Sequence, residues 1–280
     1  MRKAFIVVAT LLAGVGVMLY PSVSNVLAER HGSEAIQAYA SAVSQADDAQ
    51  RLAARLKAEE YNQSLTGQPV RDPFIPRTGM ALPDDYTQVL NTEGIMGYLD
   101  VPAIGVRLPI YHGTSEPVLI KGIGHLEGST LPIGGPSRHA VLTGHTGLSQ
   151  AKLLTDLVEL ATGDQFYIHV LGEVLAYEVD QIKVVEPEQT DDLWRVSGKD
   201  YVTLLTCTPY GVNSHRLLVR GERVDYRPDA RDKTPTARSA ADQTVLKTAV
   251  ITGAAMLVLI VIVKRLGGAR TRRRSHESGT

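Results

Sequence analysis

Cysteine is nearly absent: the 280-residue chain holds one, Cys207. A single thiol excludes an intrachain disulfide framework and a cysteine-built zinc site. An excess of one charge is missing too, since 29 basic residues stand against 30 acidic ones, which argues against nucleic acid as a partner. The Asp and Glu residues do not fall at recognisable ligand spacing, so neither a metal nor another cofactor is expected. Aromatic residues make up only 5% of the chain, yet 44% of it is hydrophobic. A core can therefore be buried, and the length suits one domain of ordinary size with appendages. No internal repeat is visible.

The even balance hides two positive ends, each beside a hydrophobic run. Arg2 and Lys3 precede a stretch from Ala4 to Leu19 without a charged residue. Roughly 20 apolar residues cross a bilayer as a helix, so this run is short for a span and also suits an export signal, with small-residue spacing at Val26-Leu27-Ala28 for cleavage. Retention as an anchor is the preferred reading of residues 1–28. The second run, Thr248 to Val263, is uncharged and follows Lys247; after it come Lys264, Arg265, Arg270, Arg272, Arg273 and Arg274 against Glu277 alone. It predicts a transmembrane helix over 246–263 and a basic cytoplasmic tail over 264–280. The positive-inside bias then puts the region between the runs outside the cell membrane. For each run the competing reading is a helix buried in a protein core.

Between the runs the pattern changes three times. Residues 29–66 are helical in character: Ser33 to Tyr61 has no Pro or Gly and places Ile36, Tyr39, Val43, Ala46, Ala49, Ala53 and Leu56 near helical spacing, as in an amphipathic helix or a helix pair laid on the main domain. Pro69, Pro73, Pro76, Gly79 and Pro83 then forbid helix and central strand alike over 67–86. From 87 to 230 short strand-like runs are broken by glycine and proline: Met96–Leu99, Val106–Tyr111, Ala140–Thr143, Gln165–Val170, Val174–Val185, Tyr201–Cys207 and Leu217–Val219. They predict a mainly β barrel or sandwich, with one short helix over Ala151–Leu160. Residues 231–245 are polar and aperiodic, a stalk.

The lone thiol ends a β-rich run at the turn signal Thr208-Pro209-Tyr210-Gly211. Arg216 opens the next run, so a hairpin return would carry its guanidinium beside the sulfur. A fixed positive charge favours the nucleophilic thiolate. Arg216 stays protonated and cannot act as acid or base; its work would be to hold a carbonyl or a developing oxyanion. Without that neighbourhood, Cys207 reads as inert core and Arg216 as a surface charge. A proton acceptor is also needed, and histidine titrates in range. His145, just past a strand and between Gly144 and Gly147, has the most suggestive context; His112, His125, His139, His169 and His215 compete, whereas His31 and His276 lie outside the main domain.

The strings Thr143-Gly-His145-Thr-Gly, Thr203-Leu-Leu-Thr206-Cys207-Thr-Pro-Tyr-Gly and Asn213-Ser-His-Arg216-Leu, in that order, resemble the three active-site segments of sortases, the cysteine transpeptidases of Gram-positive cell surfaces. The resemblance spans roughly 87–227, includes Gly124-His125-Leu-Glu-Gly and Leu131-Pro-Ile-Gly-Gly, and shows no departure from the catalytic pattern. It implies an eight-stranded sortase-like β-barrel, preceded by N-terminal helices and a lid and followed by a C-terminal transmembrane helix. It also implies Cys207 as nucleophile, His145 as acid and base, Arg216 as oxyanion or substrate holder, and Thr206 as support. Asp72-Pro73-Phe74 looks like the Asp-Pro-aromatic lid of pilin-polymerising, class C sortases; read without the family it is an ordinary turn. The resemblance implies that Asp72 approaches Arg216 and that Phe74 covers Cys207. The substrate would be an LPXTG-like sorting signal and the acceptor a lysine of a pilin subunit. The alternatives are a housekeeping sortase that anchors proteins to peptidoglycan, and a membrane-anchored scaffold or adhesin with a silent cysteine. An L,D-transpeptidase would need a Ser-His-Gly-Cys string that is absent.

Overall fold

A computed structural model describes residues 2–65, 71–74, 85–148 and 151–228. The expected stalk, C-terminal membrane helix and basic tail, and most of the proline-rich segment, lie outside the described residues. Among the described residues no helix is long and apolar enough to cross a membrane.

Eight strands close into a barrel: β1 (Gly97–Val101), β2 (Val106–His112), β3 (Ile123–His125), β4 (Arg138–Thr143), β5 (Gln165–Val170), β6 (Glu173–Val185), β7 (Asp200–Thr208) and β8 (His215–Val224). Their order around the barrel is β1-β2-β3-β4-β7-β8-β6-β5. Two pairings are parallel, β2 with β3 and β4 with β7. The sequence reading reaches a mainly β fold and seven of these strands to within a few residues. It misses β3, which is three residues long and too short to carry an alternation.

The interior is filled by Leu99, Ile110, Ile123, Leu142, Ile168, Val202, Leu204 and Val219, with Phe166 stacked on Tyr177 at 5.6 Å between ring centroids. Strand β7 alternates poorly because both of its faces are covered. Val202 and Leu204 point into the barrel, while Leu205 joins a second cluster on the outside with Leu126, Val141, Leu193 and Leu218, against which Phe74 packs. A strand covered on both sides reads as a continuous apolar run.

Two helices lie against the barrel, α1 (Arg2–Gln45) and α2 (Asp48–Ser64). Of the two readings of Ser33–Tyr61, one amphipathic helix or a helix pair, the structure has the pair, and the stripe changes face between them. Ile36, Tyr39 and Val43 are buried, but Ala49, Ala53 and Leu56 are exposed, and α2 buries Ala58, Tyr61 and Asn62 instead. The reason is a new helix start. Asp47 leaves the helical conformation and accepts from Gln50 N at 2.7 Å, while Gln50 Oε1 accepts from Asp47 N at 2.9 Å. This capping box resets the helical phase. The helix expected over Ala151–Leu160 is likewise only a single 3₁₀ stretch, Thr155–Glu159, because Leu153 takes a positive φ of 41° that interrupts any longer helix. A third, one-turn helix, α3 (Glu116–Leu119), precedes β3.

Two histidines that sequence context left open are structural. His125 is fully buried, with Nδ1 at 2.9 Å from the Tyr86 hydroxyl and Nε2 at 2.9 Å from Thr130 O. His139 sits between Trp194 O at 2.9 Å and Thr203 Oγ1 at 2.7 Å. Burial pulls both imidazoles down to about 4, against the pull of their carbonyl partners. The fold therefore prefers their neutral forms. Their contribution is complete above the unfolded value near ~6.5 and is lost as pH falls toward ~4, on the order of 2–3 kcal/mol each once both charge. Urea unfolding at pH 7.5 and at pH 4.5 should show the loss as a lower midpoint, and His139→Gln, which cannot titrate, should lose less over the same interval. An equal loss in parent and variant would assign the acid sensitivity to other groups.

Candidate active site

The site is built by strand register. In the antiparallel pair β7–β8, Cys207 is the direct partner of Arg216. The hairpin return expected from sequence therefore brings thiol and guanidinium together across one rung of the ladder. In the parallel pair β4–β7, Thr143 is level with Leu205. Pairing continues past the strand end: Gly144 N donates to Leu205 O at 3.2 Å, and Thr206 Oγ1 donates to Gly144 O at 2.7 Å. These two bonds hold the residue before His145 against the residues just before Cys207. The Thr206 hydroxyl thus spends its one proton on the backbone before His145.

Gly144 serves a different purpose from the one its sequence context suggests. A Cβ there would lie 2.9 Å from Ile123 Cγ2 and 3.1 Å from Leu154. The residue is a glycine because the His145 segment is pressed onto the barrel end. Gly147 does take a left-handed φ of 76°, and a Cβ on it would lie 3.0 Å from the ring of Tyr210 in the β7–β8 loop.

Asp72 and Phe74 converge on these residues from the proline-rich segment. Arg216 Nε donates to Asp72 Oδ2 at 2.6 Å and Nη2 to Asp72 Oδ1 at 3.0 Å, with the two side chains 7% and 3% exposed. Asp72 Oδ1 also accepts from Phe74 N at 2.9 Å, the local bond that turns the chain around Pro73. The Phe74 ring lies 5.2 Å from the Arg216 guanidinium carbon and 5.4 Å from the His145 ring. It seats between them and against the outer cluster of Leu205 and Leu218. The remaining nitrogen of Arg216, Nη1, donates to the carbonyls of Asn213 at 3.1 Å and His215 at 3.0 Å. In this arrangement every arm of the fork has an acceptor.

The electrostatics correct one expectation. Arg216 was expected to favour the thiolate of Cys207, but the thiol is pushed up from its ordinary value. Burial is the largest cause, Arg216 pulls down, and the Asp72 carboxylate pushes up again. Arg216 itself stays charged: burial opposes the charge, and the bonds to Asp72 and the charges of Cys207 and Asp72 outweigh it.

Two contacts were not legible in sequence. Glu116, at the start of α3, brings Oε2 to 3.4 Å from His145 Nε2, and only the β2–β3–β4 pairing puts α3 beside the His145 segment. Lys152 N, in the loop after His145, donates to Asn25 Oδ1 of α1 at 2.8 Å. The rival histidines have other partners: His112 Nε2 is 2.7 Å from Val89 O, His169 stacks on Tyr98, and His215 Nε2 is 3.1 Å from Glu186. No group of three or more His, Cys, Asp or Glu side chains able to hold a metal ion occurs among the described residues.

Comparison with known proteins agrees with this geometry. Residues 99–224 match the sortase domain. The solved sortase C-1 of Streptococcus pneumoniae is 49% identical, with 69% of this chain and 98% of that one covered at a TM-score of 0.65. That of Actinomyces oris is 50% identical over 63% of this chain and 98% of that one, at a TM-score of 0.61. A curated relative, sortase A of Bacillus anthracis, is 28% identical over 138 residues, covering 48% of this chain and 62% of its own. The chain thus spans about three fifths of the curated relatives it matches and nearly the whole of the solved class C structures. With identity near one half across a complete class C catalytic domain, and with the Cys207–Arg216 rung and the His145 segment in place, the chain belongs to the sortase family.

Proposed function

We propose that this chain is a class C cysteine transpeptidase that joins pilin subunits. The observation that carries the reading is the Cys207–Arg216 rung, with the His145 segment tied beside it through Gly144 and with Asp72 and Phe74 seated on Arg216. In the proposed reaction the Cys207 thiolate attacks the Thr carbonyl of an LPXTG-like signal, and Arg216 stabilises the oxyanion. The Thr–Gly bond breaks as His145 protonates the departing glycine amine, leaving a thioester. A lysine amine of the next subunit then attacks the thioester carbon, gives a proton to His145 and releases the sulfur, forming an isopeptide bond. Thr206 supports this chemistry through the backbone of Gly144, which sets where His145 stands.

The segment 71–74 acts in this reading as a lid on a resting enzyme. While Asp72 holds two arms of Arg216, those donors are withheld from an oxyanion, and the thiol is kept protonated. Departure of Asp72 frees the donors, exposes the sulfur and lowers its pKa. A large protein partner supplies enough binding energy to displace a buried ion pair, whereas water does not. The same partner can desolvate its lysine, whose unperturbed pKa near ~10.4 otherwise leaves few neutral amines at pH 7. A solved sortase C of Streptococcus pneumoniae is described by its pilin substrate specificity, which supports a pilin as the acceptor here. The apolar runs with their flanking basic residues support attachment to a cell membrane, the catalytic domain outside and the C-terminal tail in the cytoplasm.

Cys207→Ala should abolish both thioester and product, while His145→Ala and Arg216→Ala should each lower turnover of a sorting-signal peptide by at least ~100-fold with folding retained. Near-normal turnover in His145→Ala would remove it as the acid and base. Asp72→Ala with Phe74→Ala should speed alkylation of Cys207, shift the alkylation profile to lower pH and raise peptide hydrolysis; unchanged alkylation would leave 71–74 an ordinary turn. With a pilin carrying its sorting signal, covalent ladders should form and stop when the acceptor lysine is changed to Arg. Efficient transfer to a short peptidoglycan-like amine without ladders would favour a wall-anchoring sortase instead.

A further inference from the structure

Helix α1 meets the barrel domain at three places along its C-terminal half. Near its C-terminus Tyr39 and Val43 are buried, and the Tyr39 hydroxyl accepts from Leu171 N at 2.8 Å in the β5–β6 turn. Further back, Gly32 lies against Pro109 of β2. The contact nearest the N-terminus is the one from Asn25 to Lys152, in the loop that follows His145, and Leu154 N of that loop donates to His145 O at 3.3 Å. The helix therefore runs from the β5–β6 turn across β2 to the end of the barrel where the site lies. Before Asn25 it continues to Arg2. At 1.5 Å per residue that is roughly 34 Å of helix leaving the barrel on the site's side.

On the departing part Val15, Leu19 and Ser22 are half-buried along one side, and most of the other described side chains are exposed. Leu12, Val17, Met18, Tyr20 and Val23 are 45% to 82% exposed. At ~100° per residue they spread over most of the circumference instead of forming one stripe. A groove on a protein covers one face of a helix; apolar side chains spread around it match a surrounding apolar solvent. No charge occurs in the sequence between Lys3 and Glu29. The occupant that fits is a lipid bilayer.

We propose that the N-terminal half of α1 lies in the bilayer and that its continuation through Asn25 holds the Cys207 end of the barrel toward the membrane, with the β5–β6 turn on the distal side. A bend at Pro21 alters the tilt, not which end faces the lipid. The inference rests on the membrane attachment proposed above and adds an orientation to it: a carbonyl presented to Cys207 comes from a segment just emerged from the bilayer. The contacts of Asn25 make it a positioning residue for the whole domain.

The test uses the full chain with Cys207→Ala and one new cysteine, Val212→Cys in the β7–β8 loop or Ser44→Cys near the end of α1, each carrying bimane. The chains are placed in phosphatidylcholine–phosphatidylglycerol nanodiscs that contain a nitroxide-headgroup lipid. Since Asn25 and Ser44 are separated by about 28 Å along the helix, quenching at 212 should exceed that at 44 by roughly threefold or more. Tyr210→Cys is a second reporter should Val212→Cys fail to fold. Equal quenching, or stronger quenching at 44, overturns the orientation; a chain that does not co-elute with nanodiscs overturns the lipid contact. Asn25→Ala should narrow the difference, and an undiminished difference would remove Asn25 from the account. Thioester formation by the unlabelled parent in detergent is read separately, so failure of the proposed chemistry is distinguishable from failure of the orientation.

Discussion

A buried guanidinium needs an anion. Arg216 is almost wholly removed from water and cannot lose its proton, so the molecule is arranged around what satisfies that charge. In the described state the partner is Asp72, held in two parallel bonds, and from that pair the other features of the site follow. The ion pair draws residues 71–74 onto the barrel end, seats Phe74 between Arg216 and His145, and weakens the influence of Arg216 on Cys207. Removing one member of such a pair leaves the other uncompensated.

The barrel fixes the residues around this pair. Cys207 and Arg216 are partners in one antiparallel ladder, and His145 is carried by the adjacent parallel strand through bonds from Gly144 and Thr206. Cys207 and Arg216 are set by main-chain hydrogen bonds in a closed sheet, whose register cannot slip by one residue without turning its buried face outward, and the His145 segment follows β4 under the bonds of Gly144 and Thr206.

Much of this was legible in the chain. The runs of short strands gave a mainly β domain, and the resemblance of the Thr-Gly-His, Thr-Cys-Thr-Pro and His-Arg strings pointed to the residues that β4, β7 and β8 bring together. Asp72 reaching Arg216 was implied in the same way. What stayed hidden depended on three-dimensional neighbours. Strand β3 is defined by its partners and not by its own three residues. The break between the two helices falls at the Asp47 capping box, with no Pro or Gly to mark it. The thiol's raised pKa needed burial and the Asp72 charge to be weighed together, whereas sequence offered only the adjacent arginine. Glu116 and Asn25 are distant in sequence from the residues they touch, and no periodicity announces such contacts.

The rung that joins Cys207 to Arg216 divides the chain into parts that tolerate length changes and parts that do not. Adding or deleting one residue within Asp200–Thr208 or His215–Val224 would turn thiol or guanidinium to the opposite face of the sheet. The connection over 209–214 is under no such parity: its Tyr210 and Val212 are exposed, and the flanking strands carry the register. Changes in that loop, which begins two residues beyond Cys207, leave Cys207 opposite Arg216 on the ladder beneath it.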